Sequence, residues 1–197
     1  MGFNLKQQLV FYGAYHRDPV NIAIHMTCVP VILVSAFLLL TLPNATNTPT
    51  LPIRTSTLLT ELHLPLNLGT LAATLYSTLY LLLSPNIAGA TLAPLVLACA
   101  SWVNKLHTHY STNIRSLNLV AVGFHVAAWI LQFVGHGKYE GRKPALLDNL
   151  AQALFLAPLF VWYEVLFKLG FYRELREEVE GEIEVQVAKM NRKKGGE

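Results

Sequence analysis

Charged residues are scarce in this sequence. Lys, Arg, Asp and Glu make up 14% of its 197 residues, whereas a soluble domain carries roughly 25%. Hydrophobic residues account for 53% and the mean hydropathy is +0.39, so most of the chain is predicted to avoid water. The formal net charge is only +3, and the basic residues lie near the ends of apolar segments. This pattern argues against nucleic acid as a partner, and the length allows a single domain.

Cysteine is rare as well. Cys28 and Cys99 both lie in apolar stretches, and neither belongs to a CxxC pair, which excludes a disulfide framework and a zinc ribbon. The sequence also lacks GxSxG, HExxH and P-loop motifs and the clustered histidine boxes of membrane desaturases and hydroxylases. Residues 1–15 show no cleavable signal, so the first apolar segment is expected to act as its own insertion signal.

Long apolar runs are what the sequence does contain. Four of them are close to the roughly 20 residues that span a bilayer: residues 19–42, 66–83, 87–103 and 117–134. Asp18 and Pro19 predict the start of the first helix, residues 84–86 a tight turn, and Gly135 and Gly137 the end of the fourth helix. The sequence therefore predicts an all-α, polytopic membrane bundle with four spanning helices.

The segments between and after these runs are predicted to be of three kinds. Residues 43–64 form a polar linker, and the stretch between the third and fourth runs forms a polar loop. Residues 144–170 are apolar but contain carboxylates, which favours a fifth helix that is interfacial or re-entrant. Residues 1–176 are then a membrane-embedded helical catalytic domain, and residues 177–197 a charged cytoplasmic tail. Its apolar residues recur every four positions, which favours a helix packed on the domain over one bound to the membrane surface.

Basic residues in short loops predict the orientation. The linker after the first run has a single arginine, whereas the N-terminal segment has Lys6 and Arg17 and the loop after the fourth run has Lys138, Arg142 and Lys143. The N-terminus and that loop are therefore expected on the cytoplasmic side. Four crossings satisfy this arrangement, and a fifth would place the basic tail on the opposite side.

Four of the seven histidines lie in two dense motifs at the cytoplasmic ends of these helices: His16, His25, His125 and His136. His25 is expected about 9 Å inside the first helix. Neutral imidazole suits iron, zinc, copper and nickel, and ionisable groups inside a membrane are functional by default. The four are therefore interpreted as a metal site, with hydrogen-bonded structural histidines as the alternative.

His125 is the difficult member of this set. It is eleven residues from His136, about 16 Å along a continuous helix. Shared ligation would need the helix to end early and His136 to fold back, which Gly135 and Gly137 permit. Two metal ions would be another solution.

Other polar residues near these motifs have supporting roles in this interpretation. The candidates for orienting the ligands are Glu140, Asn21, Asp148 and Asn149. The remaining histidines are interpreted as ordinary loop residues: His63, His107 and His109. Arg142 and Lys143 either bind an anionic head group or only signal orientation.

The two histidine motifs resemble those of the yeast-type 2-hydroxy fatty acid dioxygenases, which are endoplasmic reticulum proteins of phytosphingosine breakdown. The first motif comprises residues 11–16 (FYGAYH), 18–21 (DPVN), 24–25 (IH) and 28–30 (CVP). The second comprises residues 129–136 (WILQFVGH), Glu140, Arg142, 144–146 (PAL) and 152–154 (QAL). Both motifs occur in order and at suitable spacing, from residue 11 to about residue 176.

The resemblance implies an Fe(II)-dependent α-oxidation in the endoplasmic reticulum membrane, in which a 2-hydroxy fatty acid loses its carboxyl carbon. It also implies that the four histidines of the two motifs bind the iron. The expected partners are the 2-hydroxy acid, dioxygen and membrane lipid. Glu140 and Arg142 are the predicted catalytic residues, with Arg142 as the partner of the substrate carboxylate because its planar fork suits that group.

Two other classes of function stay open at this point. One is a non-catalytic membrane scaffold or lipid carrier whose histidines are structural. The other is a histidine-lined metal transporter, which would require histidines along a path through the bilayer, whereas three of the four in the motifs are expected near one side. Bound iron with oxygen consumption would distinguish the enzyme from both.

Overall fold

Every regular element in the part of the chain that the structure describes is helical. The structure, a computed structural model, describes residues 4–41, 53–141, 144 and 150–194. Its helices are α1 (Leu5–Ala14), α2 (Pro19–Leu40), α3 (Ile53–Glu61), α4 (Leu68–Leu83), α5 (Ile87–His109), α6 (Ile114–Val134), α7 (Leu150–Lys168) and α8 (Arg173–Lys194). A 3₁₀ turn, Ser111–Asn113, precedes α6, and a π-helical turn, Gly135–Glu140, follows it.

Within the described residues, three helical segments are long and apolar enough to cross a membrane: Pro19–Leu40, Ile87–His109 and Ser111–Glu140. The helices α7 and α8 together would make a fourth, bent by 116° at its break. The predicted second span corresponds to α4, whose 16 residues reach about 24 Å, less than the roughly 30 Å of hydrocarbon. The prediction of an all-α polytopic membrane bundle is confirmed.

Local sequence accounts for where the main helices begin. Asp18 Oδ1 accepts hydrogen bonds from the backbone N–H groups of Val20 (2.8 Å) and Asn21 (3.2 Å), so it caps α2, and Pro19 is the first helical residue, as predicted. Asn86 caps α5 in the same way through Ala88 N–H at 2.8 Å. The predicted turn at residues 84–86 is also present.

The structure refines one prediction about a polar segment and contradicts another. The linker at residues 43–64 contains α3, although its residues 43–52 lie outside the described part of the chain. Helix α5 continues through Lys105 and His107 to His109, because no glycine or proline interrupts those turns and basic side chains suit the negative end of a helix.

Contacts divide the chain into two compact units, Met1–Val29 with Ile130–Glu197, and Pro30–Trp129. We call them the terminal unit and the central unit. In the central unit α4 packs on α5 through small side chains, and Ser77 Oγ donates a hydrogen bond to Ala93 O at 2.9 Å. A Cβ on Gly89 of α5 would lie 2.5 Å from Tyr80 O of α4. Small residues let membrane helices approach this closely.

In the terminal unit α8 packs along α1. The buried side chain of Ile183 fills the space beside Gly13, where an added Cβ would lie 2.2 Å from Ile183 Cδ1. Exposed ion pairs join Lys6 of α1 to Glu178 and Glu182 of α8, each at 2.9 Å. The tail is thus a helix packed on the domain. The predicted boundary between residues 176 and 177 falls inside α8, and the roles assigned to those two segments remain predictions.

Candidate metal centre

Three of the predicted histidines meet in the terminal unit. His16 follows α1, His25 lies in the second turn of α2, and His136 lies in the π-helical turn after α6. Their ring centroids are 4.4 to 4.8 Å apart, and each pair of rings is close to perpendicular. One nitrogen from each lies within 4.8 Å of the others, and all three side chains are buried. We call this group the three-histidine centre.

Backbone carbonyls one turn earlier orient two of these rings. His16 Nδ1 lies 2.8 Å from Tyr12 O, and His25 Nδ1 lies 3.0 Å from Asn21 O. A carbonyl oxygen can only accept, so each Nδ1 carries the proton and each Nε2 keeps its lone pair. Both contacts join residues four apart, which a helical turn brings together. The backbone therefore fixes the tautomer that a metal ligand needs.

Two ring nitrogens of the centre are buried and unpaired in the described part of the chain. Among the described residues, His16 Nε2 and His136 Nδ1 are buried without a hydrogen bond, although buried polar atoms are almost always paired. Burial, and then the neighbouring rings of His25 and His136, lower the pKa of His16 well below its ordinary 6.5. A neutral imidazole with an unused lone pair fits a metal ligand, and three of them fit zinc, iron or another first-row metal.

Tyr12 contacts His16 in two ways, and the sequence analysis did not identify it as a site residue. Its carbonyl accepts the Nδ1 proton, and its ring stacks on the His16 ring with centroids 4.0 Å apart. The other side of Tyr12 meets Phe160 of α7 at 4.8 Å. Burial, and then the charge of Glu164, raise the pKa of Tyr12 well above 10, so its hydroxyl stays protonated. The sequence signal that could have identified Tyr12 is its position four residues before His16, which is one helical turn.

The π-helical turn corrects the expected end of the fourth membrane helix. Gly135 and Gly137 do not end it; the helical path runs on to Glu140, and Gly141, with φ of +62°, closes it. A glycine ends a helix by adopting the left-handed conformation, and of the glycines here Gly141 does so. Gly135 instead allows a close approach, because a Cβ there would lie 2.5 Å from Asn21 Oδ1.

Glu140, predicted to be catalytic, lies at the end of the same turn. Its Oε2 accepts hydrogen bonds from the backbone N–H groups of Arg17 and Asp18, both at 2.9 Å, and from Asn21 Nδ2 at 3.2 Å. It is not among the three side chains that could hold a metal ion. Arg142 lies outside the described residues.

The structure does not bring His125 into this group. His125 belongs to the central unit, where Trp129 Nε1 donates to its Nε2 at 3.1 Å and its Nδ1 lies 2.9 Å from Ser35 Oγ. Both ring nitrogens are therefore engaged by side chains.

The other predicted residues are not assembled into a metal site. In the described part of the chain the three-histidine centre is the single group of at least three potential ligands, so His63, His107 and His109 form no second one. Asp148 and Asn149 lie outside the described residues.

The fold and this centre define a helical membrane protein with a buried, histidine-only candidate metal site. Residues 3–169 match the protein family described as 2-hydroxy-palmitic acid dioxygenase Mpo1-like. The chain is also 36% identical over 186 residues to the 2-hydroxy-palmitic acid dioxygenase MPO1 of Saccharomyces cerevisiae, covering 93% of this chain and 91% of that protein. No solved structure matches. The chain belongs to the Mpo1-like family, which confirms the resemblance seen in the two histidine motifs.

Proposed function

We propose that this chain is an Fe(II)-dependent dioxygenase that converts a long-chain 2-hydroxy fatty acid into the fatty acid one carbon shorter. The observation that carries the proposal is the three-histidine centre, in which neutral imidazoles present unused nitrogens to one another. The substrate class comes from the yeast relative, which is named a 2-hydroxy-palmitic acid dioxygenase. The geometry alone would suit several metals, and iron is proposed over zinc because zinc has no redox chemistry.

In this proposal the ligands are His16, His25 and His136. Bound Fe(II) would supply a template for the substrate and the one-electron chemistry that dioxygen requires. Three protein ligands leave positions for oxygen ligands, and a 2-hydroxy acid offers a hydroxyl and a carboxylate on adjacent carbons. The family resemblance adds His125, but both of its nitrogens are hydrogen-bonded to side chains. We therefore assign it a structural role.

The chain's own residues prepare the site in two ways. The carbonyls of Tyr12 and Asn21 hold the rings of His16 and His25 in one tautomer, so little reorganisation is needed when a ligand binds. The three imidazoles are each at most 5% exposed, which limits water around the reacting groups. Arg142 as the partner of the substrate carboxylate remains a prediction.

The proposed reaction needs no separate reductant. With the carboxyl carbon leaving as carbon dioxide, one 2-hydroxy acid and one dioxygen give one shortened acid, one carbon dioxide and one water. The carbon–carbon bond beside the carboxylate breaks, the hydroxyl-bearing carbon is oxidised to the new carboxyl, and dioxygen is reduced. Oxygen consumption should therefore equal product formation.

The proposed setting is the endoplasmic reticulum membrane, in the degradation of phytosphingosine, with the N-terminus in the cytoplasm. The basic residues of the N-terminal segment and of the loop after α6 support this orientation, and the family resemblance supports the compartment and pathway. An acyl chain could then arrive laterally among apolar helices while its head group reaches the rim of the membrane.

Purified protein in detergent, with Fe(II), dioxygen and 2-hydroxypalmitic acid, tests the proposal. We expect the C15 acid by mass spectrometry, with one dioxygen consumed per product. Palmitic acid, which lacks the hydroxyl, should not turn over. A scaffold or lipid carrier would bind the acyl chain without consuming oxygen, and that result with iron bound would overturn the proposal.

A further inference from the structure

One carboxylate oxygen connects the segments that carry the three histidines. Glu140 Oε2 accepts from the backbone N–H groups of Arg17 and Asp18 at 2.9 Å and from the side-chain amide of Asn21 at 3.2 Å. These donors lie in the loop before α2 and in its first turn, whereas Glu140 lies at the end of the π-helical turn. We call this set of hydrogen bonds the Glu140 clasp.

Each arm of the Glu140 clasp leads to one histidine. Arg17 directly follows His16 in the chain. Asn21, whose side chain binds Glu140, uses its backbone carbonyl to hold the His25 ring at 3.0 Å. Glu140 itself is four residues after His136 in one turn. Loss of the clasp would therefore loosen all three ligand-bearing segments relative to one another.

The hydrogen bonds of Glu140 are those of a group that holds neighbouring segments in place. Its Oε2 is occupied by three donors, two of them backbone N–H groups just before the start of α2, where the helix dipole favours negative charge. A catalytic carboxylate must instead reach the proton that it transfers.

We propose that Glu140 is a positioning residue that assembles the three-histidine centre, and that it does not transfer protons in the reaction. This inference rests on the proposed function only for the presence of a metal at that centre. Outer partners of metal ligands commonly change metal affinity by about 10- to 100-fold.

Three substitutions of Glu140 distinguish the effect of its hydrogen bonds from the effect of its charge. All three donors meet one oxygen, so Glu140→Gln keeps an acceptor at the same reach without the charge. Glu140→Asp keeps the charge but is one methylene shorter and no longer reaches the donors, and Glu140→Ala removes both. Glu178→Ala is the matched control, because Glu178 is an exposed carboxylate that pairs with Lys6 in the same unit.

The measurement is Co(II) affinity, followed through its visible absorption in the metal-free, detergent-solubilised protein, with turnover at saturating Fe(II) as a second readout. We expect Glu140→Asp and Glu140→Ala to weaken Co(II) binding about 10- to 100-fold, and Glu140→Gln to weaken it less than tenfold. The Glu178→Ala control should bind as the wild type does. If Glu140→Ala does not fold, the order of the Gln and Asp variants still decides.

Two results would overturn the inference. In the first, the Asp variant binds better than the Gln variant, or all three bind as the wild type does. In the second, the Gln variant binds Co(II) normally but loses about 10²- to 10⁴-fold in turnover, as expected for a proton-transferring group. A wild type that binds no metal would instead remove the proposed centre itself, so the two failures are distinguishable.

Discussion

The three-histidine centre of the terminal unit and His125 of the central unit differ in how many ring nitrogens the protein uses. In the three-histidine centre, His16 and His25 each give one nitrogen to a backbone carbonyl of their own helical turn. In the central unit, His125 gives both nitrogens to side chains, Trp129 on one side and Ser35 on the other. Lying within an apolar membrane helix therefore does not decide whether a histidine can bind a metal.

The tautomer of His125 is the same as that of His16 and His25, and the rings differ in the use of Nε2. The indole N–H of Trp129 can only donate, so Nε2 of His125 accepts and its Nδ1–H donates to Ser35 Oγ. Ser35 in turn donates to Val31 O at 2.7 Å, which completes a satisfied network between α2 and α6. A histidine whose two ring nitrogens are both hydrogen-bonded has a structural role, whereas a buried histidine with an unused lone pair is a potential metal ligand.

Removing a ligand should have the largest effect. We expect His25→Ala to lower iron affinity by more than about 100-fold, because even outer partners of ligands cost 10- to 100-fold, and to abolish turnover. Elemental analysis of the purified protein measures the iron, with the exposed His109 of α5, replaced by Ala, as the control. Full iron occupancy in His25→Ala would contradict the assignment of this histidine.

Crowding the close approach of the π-helical turn to α2 should have the next largest effect. In Gly135→Ala the new Cβ would lie 2.5 Å from Asn21 Oδ1, so the amide that holds Glu140 must shift. We expect a loss of about 1–3 kcal/mol in the free energy of unfolding, together with weaker metal binding.

Gly137→Ala is the control for that substitution, since nothing lies within 4 Å of its added Cβ. It should be neutral, or stabilising by up to about 1 kcal/mol, because Ala is favoured over Gly in a helix. Thermal unfolding of both variants measures the difference, and equal effects would show that the close approach at Asn21 does not matter.

Replacing His125 should have the smallest effect, and only on stability. Polar contacts between membrane helices contribute about 0.6–1.7 kcal/mol each, so His125→Ala should lower the free energy of unfolding by about 1–3 kcal/mol while iron content stays at the wild-type level. Ser35→Ala, which removes one of the two contacts, should lose less. Loss of iron from a folded His125→Ala protein would make His125 a ligand after all.

Local features of the fold could be predicted from the sequence because they depend on neighbouring residues. The cap at Asp18, the first helical position of Pro19 and the turn at residues 84–86 are all present. The errors came from treating polarity and glycine as sufficient to end a helix. His109 is polar yet helical, and the helical path after α6 is closed by Gly141, where the backbone turns left-handed, and not by Gly135 or Gly137.

Part of the candidate site could also be predicted from the sequence, and part of it could not. The sequence predicted that His16, His25 and His136 would reach one membrane level, and the structure brings them together. The sequence could not reveal that Ser35 contacts a ring nitrogen of His125, because that contact joins residues 90 positions apart. Nor could it separate a catalytic from a positioning role for Glu140, since its three donors are defined only by the folded chain.

The hydrogen bonds of Glu140 join residues 119 to 123 positions apart, which has a consequence for biosynthesis. Contacts over such separations close large loops and form late in folding. Helix α2 emerges from the ribosome carrying His25, just after His16, long before the turn that carries His136 and Glu140 exists. Nascent chains that end before residue 136 would hold at most two of the three proposed ligands, so a metal ion at this centre should be captured only after α6 has entered the membrane. Once captured, it stabilises the folded protein over every earlier intermediate.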